Sequence, residues 1–145
     1  MNFTTIIGDS QHMHTTRDAL HLAHGRLTGE IIDSFYTVFN VLGDGHFESV
    51  YVRALQIELD YRGIASVREA PLTVRYRDRV AGDFRVDLLV EDTIIVEVKT
   101  AARIAAAHET QILNYLRTSG LSVGLLLNAG SRASVKRMIL TPRND

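Results

Sequence analysis

The stretch Phe84 to Lys99, FRVDLLVEDTIIVEVK, constrains the fold more than any other part of the chain. It holds two strand-like apolar runs, residues 84–90 and 94–99, with only Glu91, Asp92 and Thr93 between them. So short a link joins antiparallel strands and excludes a parallel crossover. A strand buried on both faces reads as a near-continuous run of Val, Ile and Leu, so Asp87, Glu97 and Lys99 each cost free energy unless something compensates them.

Register decides whether those charges meet. Phe84, Val86, Leu88 and Val90 form one apolar set, and Ile94, Val96 and Val98 the matching one, so both are expected on the same core face. Pairing Val90 with Ile94 satisfies this. The three-residue connection then asks for a left-handed residue at its last position, where Thr93 is a poor choice and a bulge near the turn is an option. The same parity puts Asp87 opposite Glu97, with side chains about 5 Å apart. Lys99 follows on that face. Two such carboxylates repel by about 1 kcal/mol in water and about 4 kcal/mol at an effective dielectric of 20. A hard divalent cation such as Mg²⁺ or Mn²⁺ answers this better than Lys99 alone, because it takes few protein carboxylates and completes its shell with water and phosphate oxygens. The competing reading is a solvated strand face with an ordinary Glu–Lys pair.

Around this hairpin the periodicity changes twice. Leu27, Ile31, Ile32, Phe35, Val38, Phe39 and Leu42 recur at helical spacing up to Gly43, and HFESVYVRALQIELDYRG reads as a second helix ended by Gly63. Short strands are then predicted near residues 64–69, 72–77, 80–90 and 94–99, with Pro71 at a strand start. AAAHETQILNYLRTSG returns to helical spacing and stops at Gly120; SVGLLLN and SVKRMIL are further strands. The predicted architecture is an α/β sandwich with a mixed sheet. It occupies one domain, residues 24–145, preceded by a polar, histidine-rich arm or extra helix over residues 1–23.

Composition narrows the chemistry. With no cysteine, thiolate catalysis and disulfides are excluded, and any metal sits on oxygen or imidazole. The start lacks a basic stretch followed by a long apolar one, so a soluble, cytoplasmic protein with no membrane partner is expected. The net charge of −1 provides no global basic field, which counts against a pure nucleic-acid binder more than against an enzyme whose acidic site loads cations. Only two of the sixteen basic residues are lysine, Lys99 and Lys136, and one of them lies in the anomalous strand. His12, His14, His21 and His24 offer imidazoles for Zn²⁺ or Ni²⁺, but their spacing fits no closed site and a polar arm is the preferred reading.

Gly45, Glu48 and Tyr51 form Gly-x-x-Glu-x-x-Tyr, and with FRVDLLV, IIVEVK and HETQILNYL in that order the chain resembles the GxxExxY family, a branch of the PD-(D/E)XK nuclease superfamily. The resemblance spans about residues 24–140. Asp44 stands where the family often has proline, which affects the turn and leaves the chemistry alone. The resemblance implies a restriction-endonuclease-like fold and a metal-dependent nuclease acting on nucleic acid, DNA in preference to RNA. It implies that Asp87 and Glu97 hold Mg²⁺ or Mn²⁺, that Glu48 adds a third acidic ligand, and that Lys99 orients or activates the attacking water. Gln111 and Tyr115 resemble a Gln-x-x-x-Tyr motif of some exonuclease branches. Many superfamily members are homodimers, although no exposed apolar heptad specifies one here.

The residues themselves agree with parts of this. Glu48 and Tyr51 are neighbours on one helix surface, and His108, Gln111 and Tyr115 form a polar stripe beside Ile112 and Leu116. Arg85, two residues before Asp87, is a candidate phosphate contact. Against these stand plainer accounts: a solvent edge for the stripe, a dipole-favoured first-turn acid for Glu48, and a solvated arginine for Arg85. A catalytically weak or silent module that binds nucleic acid or a protein partner through the same fold is the alternative function.

Overall fold

In the computed structural model residues 13–141 are described, with side chains from residue 24 onward. Helix α1 (Met13–Leu42) and helix α2 (Glu48–Tyr61) precede β1 (Ser66–Tyr76), β2 (Arg79–Val90) and β3 (Ile94–Lys99); α3 (Ala106–Ser119), β4 (Val123–Ala129) and β5 (Ala133–Ile139) follow. The five strands lie in the order β1-β2-β3-β4-β5. Neighbours are antiparallel except β3 and β4, which are parallel and joined through α3. A mixed sheet with helices on both faces is the restriction-endonuclease-like sandwich that the sequence predicts.

The helices bury the stripes their periodicity marks. Ile31, Phe35 and Val38 of α1 pack with Tyr51, Val52, Leu55 and Leu59 of α2 against Leu88, Val90, Ile94, Val96, Val98, Leu125 and Leu127. On the other face Ile112 and Leu116 of α3 cover Val86, Leu89, Ile95 and Leu126. Gly124 is what allows α3 so close, since a β-carbon there would stand 2.7 Å from the Ile112 side chain. Arg62, at the end of α2, bonds Glu58, Asp33 and Glu30 and ties the two helices together at the surface.

Four details depart from the sequence reading. Residues 13–23 lie in the same helix as residues 24–42, while residues 1–12, including His12, lie outside those described. His14 and His21 are described in backbone only; His24 is half-buried, and burial, with Arg137 nearby, lowers its pKa. Strand β1 runs through Pro71 without restarting, because among the described residues it is an edge strand with one side free of partners, where a residue without an N–H is tolerated. Val86 belongs to the α3 layer, whereas Leu88 belongs to the α1/α2 layer. The step lies at Asp87 and at Glu69 across from it, which takes a left-handed φ of 53° and drops out of the ladder between Arg68↔Leu88 and Ala70↔Val86. At the β2–β3 turn the left-handed residues are Glu91 and Asp92, not Thr93. Thr93 N–H closes that turn on Val90 O at 3.0 Å, and Val90 pairs with Ile94 as predicted.

Candidate metal and catalytic centre

The β2–β3 ladder pairs Val90, Leu89 and Leu88 with Ile94, Ile95 and Val96 and goes no further. Beyond it the two carboxylates take over the backbone donors. The Asp87 N–H donates to Glu97 Oε1 at 3.0 Å, and the Val98 N–H donates to Asp87 Oδ2 at 2.8 Å. The acids thus brace the place where the strands part, and each commits one oxygen to an amide. Glu97 is only 4% exposed. Burial first, then the charge of Asp87, pushes its pKa up to about 8 against the opposing pull of the Asp87 N–H and of Lys99. Asp87 is raised as well, chiefly by burial and in part by Glu48, while the Val98 N–H and Lys99 work against the rise.

Lys99, the last residue of β3, places Nζ 3.9 Å from Glu97 Oε2 and donates to Gln111 Oε1 at 2.9 Å. Gln111 in turn donates from Nε2 to the Tyr115 hydroxyl at 3.1 Å. One turn of α3 therefore holds the ammonium group beside the acids, and burial together with the Glu97 charge raises the Tyr115 pKa. From the opposite layer Glu48, the first residue of α2, meets the Thr100 hydroxyl at 3.5 Å. Its approach is set by the Gly43-Asp44-Gly45 turn, where both glycines take left-handed φ values of 70° and 93°.

The remaining predicted residues are placed as follows. Tyr51 is fully buried, its hydroxyl donating to Gly43 O at 2.6 Å and accepting from the His46 N–H at 3.3 Å; it therefore holds the turn that carries Glu48 and offers nothing to a substrate. His108 accepts the Ala105 N–H on Nδ1 at 3.0 Å, which caps α3 rather than facing the acids. Arg85 is exposed and donates to Glu69 O at 3.2 Å, steadying the strand step beside Asp87. Asn128, 1% exposed and opposite Lys99 on β4, was missed by the sequence reading. Its amide exchanges two 3.0 Å hydrogen bonds with the backbone of Ala101, fixing the loop that leaves β3. A lone polar residue ending the apolar run Leu125-Leu126-Leu127 was the available signal.

Three acids around one ion were expected, but among the described residues no group of three acidic, histidine or cysteine side chains is close enough to hold a metal. Glu48 is drawn toward Thr100, and Asp87 and Glu97 each have one oxygen engaged by an amide. The pair still suits a small hard cation. It has oxygen donors only, one carboxylate oxygen on each acid not bonded to those amides, and a site too dry for two negative charges, and magnesium needs just one or two carboxylates beside water and phosphate.

Comparison with known proteins gives the family of the chain. A family model described as the PD-(D/E)XK nuclease superfamily matches residues 25–138. The chain belongs to that superfamily. No curated protein matches it. Among solved structures, SSO0001 aligns with a TM-score of 0.51 and 17% identity over 86% of this chain and 61% of its own, so the chain spans less than two thirds of that protein's length. Hjc of Archaeoglobus fulgidus, a Holliday junction resolvase, aligns with a TM-score of 0.37 and 21% identity over 60% of this chain and 72% of its own.

Proposed function

We propose that the protein is a metal-dependent nuclease of the GxxExxY branch, hydrolysing phosphodiester bonds in DNA. The observation that carries this is the exchange of ladder hydrogen bonds for carboxylate–amide bonds at Asp87 and Glu97, with Lys99 held alongside. Asp87 and Glu97 would hold Mg²⁺ or Mn²⁺, with Glu48 at the rim, and such an ion supplies Lewis acidity toward a phosphodiester. Lys99, positioned by Gln111, orients the attacking water and offsets negative charge on the transition state. Lysine suits this better than arginine, being a compact charge on a mobile stem. Arg85, beside the pair, is a phosphate contact in this reading.

The test is cleavage of labelled duplex DNA with Mg²⁺ or Mn²⁺. Lys99→Ala is expected to lower the rate at least a hundredfold, a size typical of losing one charge-stabilising group; an unchanged rate would overturn the mechanism. A catalytically silent binding module remains the second reading, favoured by the missing third acid. It calls for parent protein that binds DNA, cleaves none, and melts at the same temperature with and without Mn²⁺.

A further inference from the structure

The β1–β2 hairpin is longer than the sheet requires. β3 accompanies β2 only from Leu88 to Val90, while β1 follows β2 back to the Tyr76↔Arg79 pair. Because β2 and β3 are antiparallel, this extra length projects past the end of β3 that carries Glu97 and Lys99, the same end as the acidic pair. Its base is anchored: Leu72 is buried, and Phe84 lies 6.1 Å from the Tyr115 ring on α3. Every residue from Arg75 to Ala81 is exposed.

The tip reads Arg75-Tyr76-Arg77-Asp78-Arg79. In a chain of net charge −1 it concentrates three arginines against one aspartate, and none of the three forms an ion pair among the described residues. The Arg77 guanidinium carbon lies over the Tyr76 ring, 5.7 Å from its centre, within cation–π range. Tyr76 and Val80 are 67% and 55% exposed, which wastes apolar surface on a tip that touches only water. Arg77 and Asp78 take left-handed φ values of 49° and 61°, in a two-residue turn where Asn-Gly is the unstrained choice. Solubility alone needs neither the aromatic ring nor this turn chemistry.

We propose that this ribbon is a DNA-contacting arm, whose Arg75, Arg77 and Arg79 grip duplex phosphates at a distance from the cleavage site. The inference rests on the nuclease reading and names the form of its substrate. A two-stranded ribbon is of a width that a major groove admits. At about 3.3 Å per residue, the strand from Asp87 to Asp78 reaches about 30 Å, which is about nine base pairs at about 3.4 Å of helix axis each. The arm therefore makes affinity depend on duplex length.

The experiment is fluorescence anisotropy of the full chain in EDTA, so that nothing is cut, with a hairpin-closed duplex of about 6 base pairs, shorter than the arm's reach, a duplex of about 30 base pairs and a single strand of the same length, across a salt series. Replacing Arg75, Arg77 and Arg79 together by Ala is expected to reduce the slope of log K against log[salt] by about 2 to 3, at about 0.9 for each phosphate no longer neutralised. It is also expected to abolish the parent's preference for the longer duplex. The triple Arg→Lys variant is expected to keep most of the slope, separating charge from any folding defect. Equal slopes for parent and Ala variant overturn the arm, as does a parent that binds no duplex or a loss confined to single strands. Cleavage of the same duplex of about 30 base pairs by the parent with Mn²⁺ separates the two readings: an arginine-dependent slope without cleavage sinks the nuclease and leaves the arm, whereas cleavage with equal slopes sinks the arm and leaves the nuclease.

Discussion

The Tyr51 hydroxyl is a single atom on which the position of Glu48 depends. It bonds both ends of the turn that feeds α2, through Gly43 O and the His46 N–H, from a fully buried ring. Tyr51→Phe keeps the packing and removes the tie. The expected outcome is a loss of about 1 kcal/mol in urea unfolding and a lower cleavage rate at unchanged DNA affinity, because the acid moves and the ribbon does not. Spacing along the helix showed that Glu48 and Tyr51 share a surface. It did not show that Tyr51 would face the core and Glu48 the solvent, since a three-residue step spans the boundary between them. His108 illustrates the same limit: its place on the polar stripe was legible, its role as a cap was not, because capping depends on where the loop before α3 turns back.

At the scale of elements, the loop between β3 and α3 is held from β4. Asn128 satisfies both the N–H and the carbonyl of Ala101, and Gly130 lies against the same carbonyl, where a β-carbon would approach to 2.6 Å. Asn128→Ala strips two partners from a backbone segment beside Lys99. Its urea midpoint is expected to drop by the equivalent of about 2 kcal/mol with the slope unchanged. A variant as stable as the parent would show that water replaces the amide without cost. The hairpin parity that opposes Asp87 to Glu97 was readable from apolar alternation alone. The step that moves Val86 to the other layer was not, because the sequence alternation runs through it without a break while the left-handed Glu69 turns the backbone.

For the whole molecule, Glu97 links stability to pH. Burial and the charge of Asp87 push its carboxyl up from the ordinary 4.5 to about 8 in the fold, so between these values the folded state keeps a proton the unfolded state has released. Stability of the metal-free protein is therefore expected to be highest below about pH 4.5 as far as this group is concerned, to fall as pH rises toward about 8, and to level off above. Thermal melting across that window checks it. Glu97→Gln should flatten the profile, and Mn²⁺ should raise the melting temperature most at the alkaline end, where no proton competes for the carboxylates. A flat parent profile would mean that Lys99 already neutralises the pair.

By itself the sequence determined the order and kind of the elements, the hairpin register and the identity of the charged residues inside it, because periodicity and short connections are local properties. Only the tertiary structure decided which of those residues meet. That Lys99 rests on Gln111, that Glu48 turns to Thr100 rather than closing a ring of three acids, and that a basic ribbon leaves the sheet at the acidic end all follow from how α2, α3 and the strands pack. Such contacts join residues far apart along the chain, and no spacing rule encodes them.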